Sequence, residues 1–330
     1  MSGLLSSNFI RALTVGIGLL FLVPTGATQL SSELLRAAKP ADDRFVGVHE
    51  NWTSPALAGS HLVPVRPISF LTDNPRYTVE LLQLQWRQGD PIDLYVMKPK
   101  GVKRPPVILY LYGYPTETEL FRRNDYQELV TRDGCAAVGF VSALTGHRYH
   151  DRPMKQWFLS ELQESLATSA HDVQMVLDYL ASRDDLDMSR VGMFAQGSGA
   201  SIAILSSAVD PRIKVLEALD PWGDWPIWMA TSPFVPADER DDYVKPEFLG
   251  RIAALEPLEW LPKIQAKKFR LDDEIFDTVT PRAAKEQLRA ATPPWHHRDA
   301  LQEYGRIQNS IRRWQEPAMD SARASASSLI

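Results

Sequence analysis

The segment from Arg190 to Ala200, Arg-Val-Gly-Met-Phe-Ala-Gln-Gly-Ser-Gly-Ala, is where this sequence comes nearest to nucleophilic chemistry. An apolar run of strand type, Arg190 to Phe194, enters a tight turn, and a small-residue helix is predicted from Gly199 to Val209. A serine held on such a turn can attack a carbonyl when a base takes its proton. The turn is so sharp that the residues two before and two after its apex must be small, or they collide with the strand and the helix. Two registers are open. With Gly197 at the apex, the flanking residues are Ala195 and Gly199, both small. With Ser198 at the apex they are Gln196 and Ala200, and Gln196 is a long side chain where the turn tolerates almost none. The first register is preferred on that ground. A glycine apex leaves the turn intact, because glycine accepts φ > 0, but it cannot form an acyl-enzyme.

Two further clusters could hold a ligand. Gly146-His147-Arg148-Tyr149-His150 could bind an anionic group through His147 and Arg148, or could be a polar loop with Arg148 paired to a nearby carboxylate. Asp220-Pro221-Trp222-Gly223-Asp224-Trp225-Pro226-Ile227-Trp228 sets indoles at a spacing that could stack on a sugar or grip an apolar ligand, or simply pack. Asp220, Trp222 and Trp225 are therefore candidate pocket residues. No metal-ligand spacing occurs: there is no His-x-x-x-His and only one cysteine, Cys135. No glycine-rich phosphate loop is present, and no cofactor is expected. A net charge of -5 argues against a nucleic-acid partner, which would need clustered Lys and Arg.

The elements that must position these residues alternate. Tyr77–Trp86 and Ile92–Met97 read as a hairpin, and Val107–Tyr112 as a strand buried on both faces. A helix is predicted over 117–132, a strand over 135–141, and a long amphipathic helix over 161–182 with Leu162, Leu166, Val173, Val176, Leu177 and Leu180 near helical spacing. Strand 190–194, helix 199–209 and strand 213–219 follow. Residues 221–262, rich in proline and tryptophan, break the alternation and read as an inserted cap. A strand over 269–276 and helices over 281–290 and 304–315 complete the pattern. Alternation of this kind implies a mostly parallel twisted sheet with helices on both faces, whose ligands bind at the C-terminal strand ends.

The strand-turn-helix at 190–200, within this alternation, resembles the nucleophile elbow of the α/β-hydrolase superfamily. The resemblance covers roughly residues 77–315 and is closest to the esterase, acetyl xylan esterase and prolyl-oligopeptidase-like branch. It implies an oxyanion loop at Tyr112-Gly113-Tyr114-Pro115, with Tyr112 where the family has histidine. The backbone N–H groups of Tyr114 and Ser198 would then be the oxyanion donors. It places the acid at Asp277, before the helix that Pro281 begins, although an acidic loop that caps this helix is the plainer alternative. It places the histidine at His296 or His297, which could equally be a surface pair. Three departures, Gly197 for serine, Tyr112 for histidine and no clear catalytic histidine, imply a degenerate hydrolase that keeps a pocket for a small-molecule or carbohydrate ester. The alternative is an active serine ester hydrolase using Ser198 with Asp277 and His297 or His296.

The apolar run Ala12–Val23 after Arg11, followed by Pro24-Thr25-Gly26-Ala27, has the form of a secretory signal peptide over residues 1–28, short for a membrane anchor. A secreted or periplasmic protein without a membrane attachment after cleavage is expected. The remaining divisions are an extended segment over 29–75, the hydrolase domain over 76–316 with its cap at 221–262, and a disordered tail over 317–330. Oligomeric state is open.

Overall fold

Alternate residues along the central strand go to two different cores. In β4 (Pro106–Leu111), Val107, Leu109 and Leu111 join one buried cluster, while Ile108 and Tyr110 join another. Period-two side chains on a strand covered on both faces produce this division, and each fully buried Leu or Ile is worth roughly 1.5–3 kcal/mol. A computed structural model describes residues 63–87, 90–113, 117–142, 162–274 and 277–293. Around β4 lie β1 (Val63–Asp73), β2 (Tyr77–Arg87), β3 (Asp90–Pro99), β5 (Ala136–Phe140), β6 (Asp187–Gln196), β7 (Ile213–Leu219) and β8 (Lys268–Asp272). They form one sheet in the order β1-β2-β3-β5-β4-β6-β7-β8. The pairs from β1 to β5 are antiparallel, and those from β5 through β4, β6 and β7 to β8 are parallel.

One face carries α1 (Glu117–Arg122) and α2 (Asn124–Thr131), whose Phe121, Tyr126 and Val130 pack with Tyr110, Tyr112 and Phe194. The other face carries α3 (Leu162–Ala181) and α4 (Ser198–Val209). Ser198 to Ala208 of α4 are all buried, because the many small side chains among them let the helix lie directly against the strands. Between β7 and β8 run four short helices, α5 (Trp225–Thr231), α6 (Arg240–Tyr243), α7 (Pro246–Ile252) and α8 (Pro257–Trp260), and after β8 comes α9 (Arg282–Ala291).

The structure corrects several expected boundaries. The sheet begins at Val63, not after residue 75: β1 pairs with β2 from Val63↔Gln85 to Asp73↔Thr78. The prolines that made this stretch look irregular fall where the ladder shifts, between Pro64 and Arg66 and between Arg66 and Phe70, and an edge strand tolerates them there. The helix expected over 117–132 is two helices, because Arg123 takes extended backbone at φ -86, ψ 127. The strand expected to reach residue 276 ends at Asp272. The indoles of 221–262 are not set apart from the main core: Trp222, Trp225 and Trp228 belong to the same cluster as Leu109 and Leu216. The leader, the helix expected over 304–315 and the tail lie outside the described residues. No helix among the described residues is long and apolar enough to cross a membrane.

Candidate functional site

The turn after β6 is built from three close approaches. Gly197 lies between the last strand residue and the first helical one, with φ 58 and ψ -127. Its N–H donates to Leu219 O at 2.9 Å, tying the turn to the end of β7. Two residues on, a Cβ at Gly199 would lie 2.3 Å from Leu111 O and 2.9 Å from Tyr112 O. On the facing loop, a Cβ at Gly113 would lie 2.9 Å from Gln196 O and 3.3 Å from Gly197 Cα. Ala195, two residues before the turn, is fully buried. Gly197 therefore takes the apex, and Ser198 is the first residue of α4, with a fully buried side chain. The apex itself is roomy: a Cβ on Gly197 would sit 3.6 Å from Gly113 Cα and 3.7 Å from the Trp222 indole nitrogen, ordinary contact distances.

This geometry sorts the candidate pocket residues. Trp222 reaches the apex. Trp225 is fully buried, and its indole N–H donates to Leu255 O at 3.2 Å. The reason is packing. Trp222 and Trp228 approach at 5.1 Å between ring centroids, and Trp225 meets Trp228 edge-on at 6.0 Å. Tyr112 likewise turns into the core: its hydroxyl bonds the Tyr126 hydroxyl at 2.8 Å among Tyr110, Phe121 and Phe194, and burial pushes its pKa up. Tyr114, His147, Arg148, His296 and His297 lie outside the described residues. His171, read as structural, is buried on α3.

Asp277 and Asp220 are brought together by a residue that the sequence reading did not single out, Lys285 of α9. The Lys285 ammonium donates to Asp277 Oδ2 at 2.7 Å and to Asp220 Oδ1 at 3.0 Å. Asp277 also accepts the N–H of Val279 at 2.8 Å and of Thr280 at 3.2 Å. It caps its own loop rather than the helix, whose N-cap is Pro281. Asp220, at φ 49, accepts the Glu274 N–H at 2.8 Å. These bonds pull the loop after β8 onto the end of β7. A signal was present: Lys285 stands next to Ala284 and one turn before Leu288, the buried residues of α9. Glu256 was also missed. Its buried carboxylate accepts the N–H groups of Asp224, Trp225 and Leu258. Among the described residues no cluster of three or more His, Cys, Asp or Glu is arranged to hold a metal ion.

A glycine-tight strand-to-helix turn at the C-terminal edge of a parallel sheet, with β4 and β5 exchanged in the strand order and an acid on the loop after β8, is a specific architecture. Solved structures share the overall fold. The acetyl xylan esterase 1 from Thermoanaerobacterium sp. JW/SL YS485 aligns with a TM-score of 0.58 at 15% identity, over 79% of this chain and 88% of that one. The acetyl xylan esterase from Paenibacillus sp. R4 aligns with a TM-score of 0.57 at 15% identity, over 79% and 89%. The chain has the α/β-hydrolase fold. At this identity the likeness is one of hydrolase fold alone. By sequence, the chain is similar to the Bacillus subtilis (strain 168) protein "Putative hydrolase YtaP", at 29% identity over 170 residues, 46% of this chain and 56% of that protein. The chain thus spans little more than half the length of that curated relative. No family model matches.

Burial gives this hydrolase fold an unusual set of carboxyl groups. It pushes Asp220 and Asp224 up to about 6, Glu217 to about 7 and Glu256 to about 8. In each the folded state disfavours the charged form, so the folded state holds the proton more tightly than the unfolded chain. Their stabilising contribution is full below about pH 4, where unfolded carboxyls titrate, and is lost as pH rises through these values. Asp187, lowered to about 2 by hydrogen bonds from Ser189 and Arg190, acts in the opposite sense, but only below the ordinary carboxylate range. The melting temperature should therefore fall steadily from about pH 5 to about pH 8. Scanning calorimetry across that window checks this, and a rising melting temperature would contradict it.

Proposed function

We propose that this chain is an exported hydrolase-fold protein that binds a small-molecule or carbohydrate ester without forming an acyl-enzyme. The observation that supports it is Gly197 at the elbow apex, with the neighbouring Ser198 side chain fully buried in the first turn of α4. The ligand's acyl group would enter where a nucleophile side chain would otherwise stand, between Gly113 and Trp222. Its carbonyl oxygen would face the positive end of the α4 dipole. The acid position is occupied in a different way from a triad acid that serves a histidine: Asp277 is pinned by Lys285 and two backbone amides. The names of the fold neighbours, acetyl xylan esterases, support an esterified carbohydrate as the ligand class. Export rests on the pattern of residues 1–28.

A fluorophosphonate probe tests the proposal directly, since it captures activated serine nucleophiles covalently. The expected result is no labelling of the folded protein, together with a ligand-dependent rise in melting temperature when acetylated oligosaccharides are added. Labelling that disappears in Ser198→Ala would overturn the proposal and make the protein an active serine ester hydrolase.

A further inference from the structure

The strip of chain that leaves β7 is seated on the elbow at two points. Leu219 O accepts the Gly197 N–H at 2.9 Å, and Trp222 O accepts the Ser201 hydroxyl, one turn past the apex, at 2.6 Å. Asp220 lies between these anchors, so it stands beside the apex. Its backbone is left-handed, φ 49. Glycine would adopt that conformation without strain, so an aspartate brings a carboxyl group to the strand end at a conformational cost.

That carboxyl group is engaged through one oxygen only. Oδ1 accepts the Glu274 N–H at 2.8 Å and the Lys285 ammonium at 3.0 Å. Oδ2 is buried and makes no hydrogen bond among the described residues, on a side chain only 6% exposed. Clamping the loop after β8 needs Oδ1 alone, and a buried acceptor left unsatisfied is destabilising, so the clamp does not account for Oδ2. Lys285 is in the complementary position: its ammonium has a donor left after Asp220 and Asp277 are served. The open acceptor shares its carboxyl carbon with the oxygen that Lys285 binds, so acceptor and ammonium lie within reach of one small polar group.

The chemistry of that group is restricted. It must donate to a carboxylate oxygen and accept from an ammonium. A carbonyl or ester oxygen cannot donate, and a cationic amine cannot accept. An anion is disfavoured, because Asp220 and Asp277 outnumber Lys285, and Asp272, Asp273 and Glu274 stand at the end of β8 and just after it. A hydroxyl does both through a single atom. We propose that Asp220 and Lys285 form a hydroxyl-binding subsite beside the elbow apex, in which Asp220 Oδ2 accepts from, and the Lys285 ammonium donates to, a free sugar hydroxyl near the ester group that the apex receives. The subsite rests on the reading of the site as a pocket for a carbohydrate ester, and it makes Asp220 and Lys285 the residues that select a partly esterified sugar.

The test is calorimetric titration of the full chain with the monoacetates of methyl xyloside and with their deoxy analogues, each lacking one hydroxyl. It is run at about pH 8, where Asp220, raised to about 6 by burial, is charged. The expected result is that one deoxy analogue binds about tenfold or more weakly than its hydroxylated parent. Asp220→Asn sets an amide donor where the open acceptor stood, and should bring the two ligands to within about threefold of each other. Equal binding of every analogue by the unaltered protein, or a preference that survives Asp220→Asn, would overturn the subsite and leave the ester pocket standing. No binding of any of these sugars overturns both. If Asp220→Asn does not fold, Lys285→Arg, which keeps the charge but moves the donors, should narrow the same preference, and a preference left intact overturns the subsite.

Discussion

Gly199→Ala is expected to lower the melting temperature by about 6–12 °C or more, or to prevent folding. A Cβ at this position would lie 2.3 Å from Leu111 O, and backbone oxygens on either side of it cannot retreat as a flexible side chain would. Forcing β4 away from α4 costs at least about 3 kcal/mol in an interior packed this closely, and each kcal/mol moves the midpoint of a chain this size by roughly 2–4 °C. Two other glycines separate collision from backbone strain. Gly101, at φ +84 with nothing within 4 Å of its would-be Cβ, should lose about 1–2 kcal/mol as alanine. Gly197, at φ +58 with contacts of 3.6 and 3.7 Å, should lose about 1–3 kcal/mol. Calorimetry on the three variants should rank Gly199 far above the other two. If Gly199→Ala melts within about 3 °C of the parent, the turn is not the tight one described and Gly197 is not its apex.

Lys285→Met carries the second large effect. The side chains of Lys285, Asp220 and Asp277 are only 12%, 6% and 9% exposed, so removing the cation leaves two neighbouring carboxylates buried without it. Breaking a buried pair in this way costs about 3–5 kcal/mol. The loss should shrink as pH falls toward about 5, because Asp220, already raised to about 6, is then raised further and takes a proton. Lys285→Met/Asp277→Asn should recover much of the loss, since one carboxylate no longer faces another. Urea denaturation of the two variants at two pH values measures both signs. Additive losses in the double variant would show that the three groups do not act as one cluster.

The sheet was legible in the sequence wherever the local pattern and tertiary burial agree. Val107–Leu111, buried on both faces, has the continuous apolar run that predicts it, and α3 shows its helical spacing over Leu162, Leu166, Val173 and Leu177. β1 was not legible, because Pro64 and Pro67 count against a strand locally, whereas at a sheet edge the missing donors cost little. The split between α1 and α2 likewise turns on one extended residue, Arg123, that no periodicity marks.

The site divides the same way. The small residues Ala195, Gly197 and Gly199 by themselves determined that a tight strand-to-helix turn occurs at 195–199, since steric exclusion at a sharp turn acts between residues close in the chain. Only the tertiary structure decided what surrounds it. Lys285 reaches Asp220 across 65 residues, and Glu256 reaches Asp224 across 32. Trp222 reaches the apex while Trp225, three residues on, is consumed by the core. Charge pairing and burial depend on which distant elements meet, and a single chain of residue types does not encode that at short range.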